Sequence, residues 1–198
     1  MFLSRRHHPF GSSKTLLANT SLAEHIRVFD GALSAECCQT LIDRFESSID
    51  HENCQLESGY SFCQLNVTQK WPDQNQILVP IFLSYFNRYQ AAVNARFWPP
   101  KFCFEQLRMK RYLPNGRDLF PLHVDVMGHV AARRFMTAIL YLNAGDGGET
   151  VFPSLDMSIA PEPGKLLAFP PLWLFPHAGL PPKSSPKYIL HTYLCYPV

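Results

Sequence analysis

The sequence predicts a mostly β (α+β) fold: a double-sheet jelly roll buttressed on one face by two N-terminal helices. Two segments in the first half carry apolar residues at helical spacing. From Phe102 onward, short apolar runs alternate with turn residues and no long helical pattern returns. The turn signals Pro114-Asn-Gly116, Asn143-Ala-Gly-Asp-Gly-Gly148 and Pro161-Glu-Pro-Gly164 cut this half into strand-length pieces. Helices followed by many short strands favour a two-sheet sandwich with the helices packed on one side.

Residues 1–25 are polar and irregular and read as an N-terminal arm or a first short strand, ahead of one domain over 26–198. Ile26-Arg-Val-Phe-Asp30 reads as a strand. Ser34 is a plausible N-cap for a helix of about 15 residues, in which Leu41, Ile42, Phe45 and Ile49 make one apolar face. Tyr60–Thr68 alternates like a strand. A second helix follows Pro72-Asp73, with Leu78, Phe82, Tyr85, Phe86, Tyr89 and Val93 as its stripe, and Trp98-Pro99-Pro100 ends the helical part. The strand candidates beyond it are 102–112, 119–125, 135–142, 149–152, 165–169, 173–177 and 187–196. Loops around 51–76 and 126–134 are expected to frame the rim of a site in the mouth of the roll.

Composition excludes several classes. The chain has 198 residues, 46% hydrophobic and 17% charged, which suits a folded domain and not a disordered segment. A formal net charge of +2 argues for neither a nucleic-acid nor an anionic-membrane partner. No apolar run reaches the ~18 residues of a membrane span, and the first residues lack the apolar stretch of a secretory signal. Cys37, Cys38, Cys54, Cys63, Cys103 and Cys195 show no CxxC spacing. They read as buried free thiols in a reducing cytoplasm.

The chemistry concentrates in His123-Val124-Asp125 and His177. Residues i and i+2 of a strand point to one side, so His123 and Asp125 can share an ion while Val124 packs the other way. Two imidazoles and one carboxylate hold a divalent metal on one face and leave the opposite positions open. Lys187 follows His177 by ten residues and opens the β-prone run to Cys195. Alternation puts Lys187, Ile189, His191 and Tyr193 on one face. If that face is the inner one, a lysine is being buried, which is costly unless an anion pairs with it. The competing reading is a strand-end lysine that reaches solvent.

These pieces, in this order, resemble the Fe(II)/2-oxoglutarate-dependent dioxygenases, in particular their prolyl 4-hydroxylase-like branch. Ile26–Cys37 resembles the family's first strand and helix. Arg111-Tyr112 with Gly116 and His123-Val-Asp125 resembles its first metal-binding strand. Thr137–Asn143 followed by Gly147-Gly-Glu-Thr-Val-Phe-Pro153 resembles its central strands, and His177-Ala-Gly-Leu-Pro181 with Lys187 its closing motif. The resemblance implies a double-stranded β-helix in which His123, Asp125 and His177 bind Fe(II) and Lys187 pairs with the distal carboxylate of 2-oxoglutarate. Tyr112, Tyr141 and Thr150 match positions that hydrogen-bond the cosubstrate or line its pocket. It implies consumption of O2, support by ascorbate, release of succinate and CO2, and hydroxylation of an unactivated C–H bond. The prime substrate it implies is a protein prolyl residue, or alternatively a free amino acid or small metabolite.

Plainer roles stand beside these. Asp125 could only orient His123; Tyr112 and Tyr141 could be core aromatics; Thr150 could be a β-favoured residue. His191 could be a satisfied core histidine or lie near the iron with Tyr193. His129, Arg133 and Arg134 follow the HxD string and are candidates for gripping a polar or anionic substrate, or simply a solvated loop. Tyr188 stands where the collagen-type enzymes often carry tryptophan, and Pro170–Pro176 makes an unusually apolar approach to His177. With no peptide-binding domain expected ahead of it, the pattern is closer to small stand-alone bacterial or phage-type oxygenases. A non-catalytic jelly-roll module would have lost a triad member or the lysine, and both are intact here.

Overall fold

Two antiparallel sheets enclose the site, and two helices cover the outer face of the larger one. The computed structural model describes residues 21–56 and 59–198. Its helices are α1 (Ala35–Ser47), α2 (Val67–Lys70) and α3 (Pro72–Ala92). Its strands are β1 (Arg27–Phe29), β2 (Glu52–Gln55), β3 (Ser61–Asn66), β4 (Cys103–Phe104), β5 (Arg108–Tyr112), β6 (Phe120–His123), β7 (Arg134–Tyr141), β8 (Thr150–Phe152), β9 (Met157–Ile159), β10 (Leu166–Phe169), β11 (His177–Gly179) and β12 (Lys187–Cys195). The larger sheet runs β1-β10-β7-β12-β5-β3-β2, with β4 paired to the end of β12, and the smaller runs β6-β11-β8-β9. This is the two-sheet jelly roll of a double-stranded β-helix.

The helices form where the sequence places them. The Ser34 hydroxyl accepts from the Cys37 amide at 3.1 Å and caps α1. Pro72 opens α3 at its first turn, where its missing N–H costs nothing. Their buried faces (Leu41, Ile42 and Phe45; Leu78, Phe82, Phe86 and Tyr89) pack on Leu65, Met109, Leu140, Leu190 and Leu194 of the large sheet. The next residue along each central strand faces the opposite way. Ile139, Tyr141 and Ile189 join Phe62, Tyr112, Phe152 and Phe169 in a second core between the sheets. The central strands are thus buried on both sides, which explains their continuous apolar runs. Truncating Phe45, fully buried between α1 and the sheet, should cost about 3–5 kcal/mol.

Several expectations are corrected. The run 102–112 is broken into β4 and β5, because the Glu105 amide pairs with Tyr193 O while the Leu107 amide turns to the Thr68 hydroxyl. The alternating run from Tyr60 stops at Asn66, whose side chain caps α2 by accepting from Gln69 at 3.3 Å. Much of the expected rim at 51–76 is a β2–β3 hairpin and α2–α3 helix. The expected strand 173–177 is a turn closed by Phe175 N–H to Leu172 O at 2.9 Å, and strand pairing begins at His177. Ile49 lies beyond the end of α1 and is 98% exposed. Strands β2 and β9 were not expected. All six cysteines are free, but only Cys38, Cys63 and Cys195 are buried. Residues 1–20, most of the expected arm, lie outside the described residues, and Leu22–His25 form a single 3-10 turn. Among the described residues no helix is long and apolar enough to cross a membrane.

Candidate active site

The large sheet supplies one wall of a pocket between the sheets and the small sheet supplies the other. Lys110 and Tyr112 come from β5, Ile139 from β7, and Lys187, Ile189, His191 and Tyr193 from β12. Opposite them stand Phe120 and His123 of β6, Thr150 of β8, and His177 and Gly179 of β11, with Asp125 just past β6. The inward face of β12 is the one that alternation assigns to it.

Strand register brings the two histidines together. His177 pairs directly with His123 across β11 and β6, and their ring centroids lie 4.3 Å apart. Nδ1 of His123 donates to Pro121 O at 2.8 Å and Nδ1 of His177 donates to Phe175 O at 3.0 Å. A carbonyl can only accept, so both Nδ1 atoms carry a proton, and it is the Nε2 atoms that are turned towards the pocket. Asp125 is not on the strand as expected; β6 ends at His123, and the carboxylate reaches back from the following bend. Its Oδ1 lies 3.4 Å from His123 Nε2 and its Oδ2 3.8 Å from His177 Nε2.

The three donor atoms lie within 4.8 Å of one another. Oδ2 of Asp125 is buried with no hydrogen-bond partner among the described residues. A buried carboxylate oxygen left this way is costly unless a cation takes it. Burial alone would raise the Asp125 pKa, but the His123 contact, the neighbouring imidazoles and the Tyr193 hydroxyl hold it below the usual carboxylate range. Burial pushes His177 down to about 4, so its ring is neutral at physiological pH. Two imidazoles and one ionised carboxylate suit a divalent first-row ion such as Fe(II).

Lys187 lies at the other end of the pocket, 5% exposed. Its Nζ donates to Gly148 O at 2.9 Å and sits 4.7 Å from the centroid of Tyr112, its cross-strand partner. No carboxylate lies within ion-pair distance of it among the described residues. Burial pushes its pKa down to about 8, although Glu149 pulls the other way. Gly148 makes room for it: φ is +77°, and a Cβ there would lie 2.9 Å from Lys187 Cδ. An ammonium fixed in this position can receive the far end of a dicarboxylate.

The other expected residues divide. Tyr112 and Thr150 line the pocket. Tyr141 does not; it stands behind Thr150 and donates to its Oγ1 at 2.6 Å, which leaves the threonine proton free to donate into the pocket. His191 and Tyr193 face in, the former bonded to Thr137 Oγ1 at 2.9 Å and the latter donating to Asp125 Oδ1 at 2.7 Å. Arg134 reaches the neighbouring groove, pairs with Glu105 at 2.9 Å and stacks on Tyr193. His129 and Arg133 are not brought to the pocket. His129 is exposed in a 3-10 turn, and Arg133 turns to the chain's end, donating to Tyr196 O at 2.8 Å. No residue of 126–133 lines the pocket, whose walls are strands. The reading of the sequence missed Lys110, although alternation from Tyr112 places it on the same inward face.

The 2OG-Fe(II) oxygenase superfamily model matches residues 107–195. No curated protein matches the sequence. Among solved structures, the viral collagen prolyl hydroxylase of Paramecium Bursaria Chlorella virus-1, in its 2OG complex, is 25% identical with a TM-score of 0.61, covering 88% of this chain and 97% of that one. A prolyl hydroxylase from Trichoplax adhaerens, bound to a peptide of hypoxia inducible factor, shares the fold at 16% identity and a TM-score of 0.67, covering 87% and 84%. A Pseudomonas putida prolyl-4-hydroxylase does so at 17% and 0.62, covering 87% and 93%. Every residue that lines the pocket falls inside the stretch that matches the 2OG-Fe(II) oxygenase superfamily, and these solved structures, which the chain resembles over most of its length, are prolyl hydroxylases.

Proposed function

We propose that His123, Asp125 and His177 hold Fe(II), that Lys187 pairs with the distal carboxylate of 2-oxoglutarate, and that the protein hydroxylates an unactivated C–H bond with release of succinate and CO2. The observation that carries this reading is Asp125 Oδ2, which has no hydrogen-bond partner among the described residues and faces two imidazole nitrogens in the same pocket as a buried lysine with no carboxylate within ion-pair distance among those residues. When bound, the iron and the 2-oxo acid supply O2 activation and oxidative decarboxylation. The chain's own residues orient and exclude. Pro121 O and Phe175 O fix the histidine rings. Tyr193 holds the Asp125 carboxylate, and the Thr150 hydroxyl would be free to donate to the cosubstrate. Phe120, Ile139 and Ile189 keep water from the reacting centre.

The prime substrate is a prolyl residue or a free amino acid or other small metabolite; the likeness to the viral collagen prolyl hydroxylase supports the first. The domain runs over 26–198, and six free thiols suit a reducing cytoplasm. The test is succinate formation by purified protein with Fe(II), ascorbate, O2 and 2-oxoglutarate, against free amino acids and proline-containing peptides. The reading expects succinate that rises with one substrate and disappears in His177→Ala. Substrate-stimulated succinate that survives His177→Ala refutes it.

A further inference from the structure

Resting on that reading, we propose that the prime substrate carries a carboxylate and that Lys110 receives it. Lys110 lies in the middle of β5, between Gln64 of β3 and Ile189 of β12. Its side chain lines both the metal pocket and a groove of ≈ 540 Å³ that shares the Lys110, Phe120, His191 and Tyr193 walls with it. The lysine therefore stands where the groove enters the pocket. Its Nζ lies 5.0 Å from the centroid of Phe62 and 5.3 Å from that of Phe120. Two aromatic faces hold an ammonium in place without neutralising it. No carboxylate within ion-pair distance and no hydrogen-bond acceptor meets it among the described residues, and burial pushes its pKa down to about 8 although the more distant Asp125 pulls the other way.

Charge counting makes this lysine a question. The ionic groups of the pocket are Lys110, Lys187 and Asp125. A divalent ion and a fully ionised dicarboxylate cancel each other, and Asp125 offsets one lysine. One positive charge is left over, at the end open to the groove. Along the groove Arg134 is already paired with Glu105, while among the described residues Arg108 bonds only the neutral Gln106 side chain, at 2.7 Å. The surplus is thus positive throughout, and a neutral peptide segment would leave Lys110 uncompensated in a partly buried wall. An organic acid would complete the count, its carboxylate on Lys110 and its apolar part against Phe62 and Phe120. The carboxylate can belong to the reacting molecule itself or to an acidic side chain beside the reacting residue.

Calorimetry on the full chain loaded with Mn(II) and 2-oxoglutarate tests this, using two acid–amide pairs: N-acetyl-L-proline with N-acetyl-L-prolinamide, and phenylacetate with phenylacetamide. The wild type should bind at least one acid tenfold or more tighter than its amide. Lys110→Met should abolish that preference, Lys110→Arg should keep it, and 2-oxoglutarate affinity should be equal in all three. Acetyl-aspartyl-prolinamide separates the sources: a Lys110-dependent gain there places the carboxylate on a neighbouring acidic side chain. Equal binding of acid and amide, no binding of any acid, or a preference that survives Lys110→Met overturns the proposal. So does loss of 2-oxoglutarate binding in Lys110→Met, which would make Lys110 a cosubstrate anchor. Failure of the iron and 2-oxoglutarate reading would show separately, as a wild type that takes up neither Mn(II) nor 2-oxoglutarate.

Discussion

The Tyr193 hydroxyl donates to Oδ1 of Asp125 at 2.7 Å, while Oδ2 of the same carboxylate has no hydrogen-bond partner among the described residues. One oxygen is fixed and the other is presented. A phenol that orients a ligating carboxylate should matter to the metal and little to the fold. Tyr193→Phe should weaken Mn(II) binding about tenfold or more without moving the melting temperature of the metal-free protein appreciably. Calorimetric Mn(II) titration with a parallel thermal melt checks both. Unchanged metal affinity would mean that the Asp125 position is set by the chain alone.

Lys187 gives a pH dependence with a definite sign. Its free pKa is lowered to about 8 by burial, and the form that attracts a carboxylate is the charged one. Below that pH the ammonium is ready and affinity should be level. As pH rises through about 8 a proton must be taken up on binding, and affinity for 2-oxoglutarate should fall about tenfold per pH unit. Lys187→Arg, which stays charged, should flatten that limb, and Lys187→Met should weaken 2-oxoglutarate by about 2–4 kcal/mol at pH 7 with Mn(II) binding unaffected. A wild-type profile matching Lys187→Arg would move the anion site elsewhere.

Gly148 couples backbone shape to the same lysine. An alanine there meets Lys187 Cδ at 2.9 Å and is strained at φ +77°. Gly148→Ala should cost about 1–3 kcal/mol of stability and weaken 2-oxoglutarate binding about tenfold, leaving Mn(II) binding unchanged. Stability and both affinities measured on the one variant separate this from general misfolding, which would lower all three.

Much of this site was legible in the sequence because it follows strand alternation. His191 and Tyr193 share the Lys187 face, whereas the direct pairing of His177 with His123 is a long-range register that alternation does not reveal. Lys110 obeys the same rule from Tyr112, but it sits beside Arg111 in a basic run that looks solvated. Burial by α1 and α3 on one face and by the second sheet on the other is a tertiary fact. The expected strand 173–177 rests on an apolar run that looks like a strand; Pro170, Pro171 and Pro176 remove the donors that pairing needs, so the chain turns at Leu172–Phe175 instead. Strand β2, Glu-Asn-Cys-Gln, is a polar edge with no apolar alternation to reveal it. The place of Asp125 past the strand end was hidden too, since HxD spacing is the same for a strand and for a bend that folds back.

Asp118 closes the loop between β5 and β6 and should govern stability more than binding. It is 5% exposed and accepts from the Ser61 hydroxyl at 2.6 Å, the Leu113 amide at 2.9 Å and the Asn115 amide group at 3.0 Å. Burial raises its pKa, but these donors outweigh it and hold the carboxyl below its ordinary range. A lowered folded pKa means a contribution present above the unfolded value near pH 4 and lost as pH falls below it. Asp118→Ala should cost about 2–4 kcal/mol at pH 7, with the gap to wild type narrowing towards pH 3. Urea denaturation at both pH values measures it; a gap independent of pH would show that the charge contributes nothing.

The most direct test of the whole account is 2-oxoglutarate binding with and without Mn(II), in wild type and in Asp125→Ala. One metal ion per chain and 2-oxoglutarate binding that tightens when it is present, both lost in Asp125→Ala while the protein still melts cooperatively, is the predicted result. Undiminished Mn(II) uptake in Asp125→Ala, or 2-oxoglutarate binding indifferent to the metal, would contradict a site built on His123, Asp125 and His177.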